Sequence, residues 1–135
     1  MSVQFASDAW VAALKDAINT HATYRENAKT WEGDFHFVIE PDDARAGDAA
    51  VTVYLDLWHG ECRVSRFAVA SDAAPEFVIR GARKNWIKVM RREMDPIKAL
   101  VTNALKLKGN LAKVMRNVKA AQELVNAVAM VETVF

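Results

Sequence analysis

Val51, Val53, Leu55 and Leu57 alternate with Thr52, Tyr54, Asp56 and Trp58, the period-two pattern of a strand with one buried face. The same alternation sets Phe35, Phe37 and Ile39 against Asp34, His36 and Glu40, and Pro41-Asp42-Asp43 closes that run before a small polar loop to Gly47-Asp48. His59-Gly60-Glu61 reads as a tight turn into a third strand, Cys62 to Ala70. Pro75 precedes a fourth, Glu76 to Arg80, which Gly81 ends. Ahead of the strands the period is helical. Ser7 or Asp8 caps a helix bearing Trp10, Leu14, Ala17 and Ile18 at i, i+4, i+7 and i+8, and a short second helix covers about Tyr24 to Lys29.

After Gly81 the period changes to 3.6. A helix over Arg83 to Glu93 collects Trp86, Ile87, Met90 and Met94 on one side and Lys84, Lys88, Arg91 and Arg92 on the other. Pro96 starts the next helix, where its missing N–H costs nothing. Leu105 to Lys108 is a very short fifth strand, and Gly109-Asn110 opens a helical remainder. Leu111, Val114, Met115 and Val118 form its stripe, continued by Leu124, Val125, Val128 and Val131. The order is α-α-β-β-β-β-α-α-β-α-α. Two helices separate the fourth and fifth strands, which argues against a hairpin between them and for a crossover. The expected fold is α+β, one domain over residues 1–135, with a five-stranded mixed sheet and helices on one face.

Length and composition agree: 135 residues, 52% hydrophobic and 26% charged, suit one compact domain. No basic-then-apolar leader opens the chain, no apolar run reaches 18 residues, and Thr133-Val134-Phe135 is not a peroxisomal address. A lone Cys62 excludes an internal disulfide and fits a reducing compartment, so a cytoplasmic protein is expected.

Charge is divided along the chain. Residues 1–67 carry 6 Lys and Arg against 11 Asp and Glu, and residues 68–135 carry 12 against 6. All the later cations fall between Arg80 and Lys119. They are either solvated helix faces or a field for anionic partners such as phospholipid headgroups. With no helix-turn-helix and no aromatic-basic sheet signature, nucleic acid is not an expected partner.

Catalytic patterns are missing: there is no GxSxG, HExxH, GxGxxG after a strand or Gly-rich phosphate loop. His21, His36 and His59 fall on different elements. His59 and Cys62 supply only two of the four ligands a zinc site needs. Glu40, Asp42 and Asp43 are turn chemistry at a strand end. No metal, no cofactor and no enzymatic activity are expected. The apolar supply of the helical half, rich in methionine, suits either an ordinary core or the lining of a cavity closed by Phe37, Val53, Leu55 and Leu57.

Several segments in order resemble prokaryotic members of the sterol carrier protein family. They are Trp31-Glu32-Gly33-Asp34-Phe35 with Phe37-Val38-Ile39-Glu40-Pro41-Asp42, Leu55-Asp56-Leu57-Trp58-His59-Gly60, and Pro75-Glu76-Phe77-Val78-Ile79-Arg80-Gly81. Asp95-Pro96-Ile97-Lys98-Ala99-Leu100 and Lys106-Leu107-Lys108-Gly109-Asn110-Leu111 complete the set. The resemblance implies an apolar tunnel between sheet and helices and non-catalytic binding or transfer of a fatty acid, acyl-CoA, phospholipid or sterol-like lipid. The alternative is an accessory protein–protein interaction module with the same fold and no bound lipid. The expected lining is Phe37, Leu55, Leu57, Trp86, Ile87, Met90, Ile97, Leu100, Val101, Leu111, Met115, Val125 and Val128. Lys84, Lys88, Arg91 and Arg92 are expected to meet a headgroup or an anionic membrane surface.

Overall fold

A computed structural model describes residues 2–42 and 49–135. Asp43 and the turn at Gly47-Asp48 lie outside the described residues. The elements are β1 (Val3–Gln4), α1 (Asp8–Asn19), α2 (Ala22–Asn27), β2 (Glu32–Glu40), β3 (Val51–Trp58), β4 (Glu61–Phe67), β5 (Phe77–Ala82), α3 (Arg83–Met90), α4 (Pro96–Val101), β6 (Lys106–Lys108), α5 (Leu111–Met115), α6 (Val118–Ala129) and β7 (Thr133–Val134). The main sheet runs β4-β3-β2-β5-β6, mixed and five-stranded as expected.

The inward face of that sheet is the alternating set read from the sequence. Phe35 pairs with Leu55 and Phe77, and Phe37 with Val53 and Ile79, so large apolar side chains lie side by side across three strands. Gly33, Leu57 and Gly81 extend the same buried face. The outward face presents Asp34, Tyr54, Asp56, Arg63 and Arg80. At the β3–β4 turn, His59 and Gly60 both have positive φ (52° and 81°), the geometry that matches strand twist in a two-residue hairpin. A Cβ on Gly60 would lie 2.6 Å from the Arg25 carbonyl, so the glycine also lets α2 rest on the turn.

Helix α1 begins where the capping residue predicts: Ser7 Oγ accepts from the Trp10 N–H at 3.2 Å. It packs on β4 through Trp10, Val11, Leu14 and Ile18. The Asn19 side chain accepts from Cys62 N (2.7 Å) and donates to Cys62 O (3.0 Å), occupying backbone groups of the edge strand.

Several boundaries differ from expectation. The third strand stops at Phe67, not Ala70, and β5 runs through Gly81 to Ala82 because it continues to pair with β2 there. Gly81 is needed for close approach, since a Cβ would collide with Leu105. The fourth and fifth strands do pair directly, β5 antiparallel to β6, and the parallel pair within the main sheet is β2 with β5. Helices α3 and α4 carry the chain off the end of β5 and return it to the same end, so an antiparallel pair survives a long insertion.

Helix α3 ends at Met90 instead of Glu93. Arg92 takes φ 61°, with Glu93 N donating to Lys88 O (2.9 Å) and Arg92 N to Val89 O (3.0 Å). This is a Schellman close with arginine in the usual glycine position, which hides the stop from a sequence reading. The helical remainder is two helices, as the expected order has it, and they divide at Arg116-Asn117, where Asn117 adopts φ −124° and ψ 36°. The two-residue parallel pair of β1 with β7 had no sequence signal.

Candidate functional site

Between the sheet and the helices lies a cavity of about 100 Å³. Its floor is Trp31, Phe35, Phe37, Leu57 and Ile79. The aromatic part is contiguous: Trp31 stacks on Phe35 (5.7 Å between centroids), Phe35 on Phe37 (5.1 Å), and Trp86 meets Phe37 edge-on (5.7 Å, 80°). The walls and roof are Trp86 and Val89 from α3, Pro96, Ile97 and Leu100 from α4, Leu105, Val114 from α5, and Ala120, Ala121, Leu124 and Val125 from α6. Small residues at 120 and 121 leave the space that larger ones would fill.

Polar atoms in the wall are mostly committed elsewhere. Trp31 Nε1 donates to Gly33 O (3.1 Å), Trp86 Nε1 to Val38 O (3.0 Å), and Asn117 Nδ2 to Lys113 O (2.8 Å). Tyr24 is the remaining polar residue of the lining, and no acid, base or charged side chain is among its members. Such a chamber removes an apolar group from water.

Of the residues expected at the lining, the structure brings together Phe37, Leu57, Trp86, Ile97, Leu100 and Val125. Leu55 is buried in the same sheet face, and Ile87, Met90 and Val128 pack against the core beside the cavity. Val101, Leu111 and Met115 are 63%, 45% and 41% exposed. Helix α4 spends its inward face on Ile97 and Leu100, and α5 spends its own on Val114, so these neighbours are turned outward. The lining contains no methionine, so neither Met90 nor Met115, both expected there, is a member. Tyr24, Trp31, Phe35, Ile79, Val89, Leu105 and the α6 alanines were missed. Ala120, Ala121, Leu124 and Val125 do carry a signal, at i and i+4, once the α6 start is known.

Lys84, Lys88, Arg91 and Arg92 are all exposed. The Arg91 guanidinium lies over the Phe135 ring at 4.9 Å, and Arg92 is past the helix end. Trp86 and Val89 of the same helix face the cavity, so α3 separates cavity wall from outward cations.

A second, larger cleft of about 390 Å³ opens on the outward sheet face. Its charges are already paired. Arg63 holds Asp56 through two bonds (3.0 and 3.1 Å) while lying over Trp58, and Tyr54 donates to Asp34 (2.9 Å). Lys113 Nζ reaches Glu76 (2.7 Å). Among the described residues no group of three or more His, Cys, Asp and Glu is placed to hold a metal. His59 contacts Glu32 at 2.6 Å on the surface, whereas Cys62 is buried and its thiol donates to Val64 O at 3.3 Å. Burial pushes that thiol up to about 12, so it is no nucleophile near neutrality. No helix among the described residues is long and apolar enough to cross a membrane.

Comparison with known proteins bears on this geometry directly. A crystal structure of sterol carrier protein 2 is 36% identical, with a TM-score of 0.85 over 95% of this chain and 99% of that one. The solution structure of a conserved hypothetical protein from Thermus thermophilus, described as possibly a sterol carrier protein, is 34% identical, with a TM-score of 0.85 over 99% and 94%. Palmitated SCP2L2 from Aedes aegypti shares the fold at 14% identity, with a TM-score of 0.59 over 90% and 95%. A search of curated proteins found no match. The model of the SCP-2 sterol transfer family matches residues 12–122, which span the sheet, the cavity floor and nearly all of its roof. By that match and by the two close structures, the chain belongs to the SCP-2 sterol transfer family.

Proposed function

We propose that this protein binds the apolar body of a lipid in the cavity beneath α6 and carries it without chemical change. The observation that carries this reading is a chamber between sheet and helices lined, but for Asn117, by aromatic and aliphatic side chains, with no charged member. Family membership supports lipid binding and transfer in general, and the Aedes aegypti relative is described with palmitate. Burying ten methylenes contributes roughly 8 kcal/mol before the costs of association. A micromolar complex requires about that figure net, so a chain of roughly sixteen methylenes, about 13 kcal/mol gross, reaches it when association costs about 4–5 kcal/mol.

At about 100 Å³ the chamber is smaller than the 150 Å³ cavity that accommodates benzene in an engineered protein. A lipid chain therefore enters by moving the roof. Helix α5 is the natural moving part, being five residues long with only Val114 buried. Exposed Leu111 and Met115 flank Val114 and stand ready to meet the lengthening ligand. On α3, the cations Lys84, Lys88, Arg91 and Arg92 face out toward an anionic bilayer while the other side of the helix borders the cavity.

The test is binding of a fluorescent fatty-acid analogue to the native protein with unlabelled palmitate as competitor. Saturable binding that palmitate displaces is expected. A signal that survives heat unfolding, or that palmitate leaves untouched, sinks the carrier reading.

A further inference from the structure

Helix α5 enters the cavity wall through Val114 alone, and the residue before it, Lys113, ties the helix back to the sheet. The Lys113 ammonium donates to Glu76 Oε2 (2.7 Å), just ahead of β5, and to the Glu32 carbonyl at the start of β2. It lies over the rings of Trp31 and Phe77, 4.9 and 5.6 Å from their centroids, and Trp31 is cavity floor. Leu111, Ala112, Val114 and Met115 are apolar, so Lys113 supplies every hydrogen bond that an α5 side chain makes.

The backbone leaves the helical path on both sides of α5. Gly109 has φ 137°, and Asn117 has φ −124° and ψ 36°. Between these joints the turn closes on itself: Asn110 Oδ1 accepts from Lys113 N (3.2 Å), and Asn117 Nδ2 donates to Lys113 O (2.8 Å). The neighbouring roof helix is fastened differently. Glu123 of α6 is buried against His21 of the α2 cap (3.1 Å), and Gln122 donates to Asp95 ahead of α4 (2.9 Å). The Lys113–Glu76 pair is open to water, with 27% and 45% of the two side chains exposed, so it parts without stranding a buried charge.

Resting on the lipid-binding reading above, we propose that the Lys113–Glu76 pair is a latch that holds α5 against the sheet in the empty protein and is released on loading. A chamber of about 100 Å³ has no room for a lipid chain while α5 is down, so the unlatched arrangement is the one that binds. A contact that favours the empty arrangement withholds affinity, because apparent affinity scales with the fraction of molecules competent to bind. Removing the latch therefore tightens binding, whereas removing a lysine that only supports the fold would weaken it.

The experiment measures stopped-flow association and dissociation of a fluorescent fatty-acid analogue with the native protein, Lys113→Met and Glu76→Gln, with urea unfolding of each ligand-free protein. Methionine keeps an apolar stem over Trp31 and Phe77 and removes the ammonium. Lys113→Met is expected to be less stable yet to bind about three- to tenfold tighter, with the gain in the association rate. Glu76→Gln, which keeps an acceptor oxygen, is expected to move the same way by less. An unchanged association rate or weaker binding in Lys113→Met overturns the latch. Tighter binding in Glu76→Gln alone also overturns it, since Lys113 would then be a contact for the ligand carboxylate. Hydrogen exchange of ligand-free Glu76→Gln is the second measurement, and it decides the matter if Lys113→Met does not fold. Faster exchange over residues 111–117 with α6 unaltered is expected, and unchanged exchange there, or equal acceleration in α6, overturns the latch. If the native protein takes up no probe that unlabelled palmitate displaces, the lipid-binding reading fails and the latch with it. Binding with rates that neither variant alters removes the latch alone.

Discussion

Ala120→Leu should make the protein more stable while disabling it. Ala120 is 6% exposed and borders the cavity, so the open space available to a larger side chain there is the cavity itself. A void of about 100 Å³ withholds roughly 2.4 kcal/mol at about 24 cal/mol per Å³. Leucine adds three carbons, which at about 0.8 kcal/mol each recover nearly the same amount. Fixing its rotamer costs about 0.5–1 kcal/mol, and leucine is close to alanine in helix propensity. The net gain is about 1.5 kcal/mol, equivalent to a rise in Tm of about 6 °C for a chain of this length. Urea unfolding and thermal melting, both followed by tryptophan emission, measure the stability. Displacement of a bound fluorescent acyl probe measures the site, where affinity should fall at least tenfold. A variant that is destabilised yet binds as before would refute the reasoning, because the leucine would have met packed atoms instead of a ligand chamber.

Cys62 should resist a thiol-specific disulfide reagent at pH 8 in the native protein and react on unfolding, since burial holds its thiol near 12; prompt native reaction would contradict the packing of β4. Glu123, buried on α6, is held below the usual carboxylate range by His21 first, with Asn126 and Lys119 adding to it. Its stabilisation is present above the normal carboxylate pKa and is lost as pH falls toward the depressed value. Glu123→Gln should therefore be less stable near pH 7 and show a shallower loss below about pH 5, and parallel pH profiles would rule this out. Lys88→Glu with Arg92→Glu should slow lipid delivery to anionic vesicles at low salt and spare neutral ones, because each cation near such a surface contributes about 1 kcal/mol. Unchanged delivery to anionic vesicles would leave those side chains as mere solvated surface.

Strands β2 and β3 were legible because one face is mostly core and the other mostly water, which imprints alternation on Asp34 to Phe37 and on Val51 to Trp58, with buried Val38 the exception on the outward side of β2. The helix starts at Ser7 and Pro96 were legible for an equally local reason, the unmet N–H groups of a first turn. Partner choice was not. That β5 lies between β2 and β6 depends on how α3 and α4 fold back, a tertiary outcome that no residue of β5 records. The lining was half legible for the same reason. Phe37, Trp86, Ile97 and Leu100 belong to stripes whose inward side is fixed by amphipathicity. Leu111 and Met115 belong to a stripe that the break at Asn117 divides, which turns them toward solvent. Tyr24 was invisible as a cavity residue because a six-residue helix has too few turns to define a face.

The parallel seam of β2 with β5 has a kinetic consequence. Phe35 meets Phe77 and Phe37 meets Ile79 only after a long stretch of chain has been closed, whereas the β2–β3 and β3–β4 pairings are hairpin neighbours. Long-range pairing pays its loop entropy before its contacts repay it, so the seam is the slow part of assembly. The chamber draws on residues from Tyr24 to Val125 and has no floor until Ile79 is in place. A lipid thus has nothing to grip in an unfolded or half-paired chain. It acts by holding the finished protein, lengthening native lifetime through a slower unfolding rate and leaving the refolding rate unchanged. For a carrier, the loaded molecule is then the durable one, and the empty molecule is the form first exposed to proteolysis.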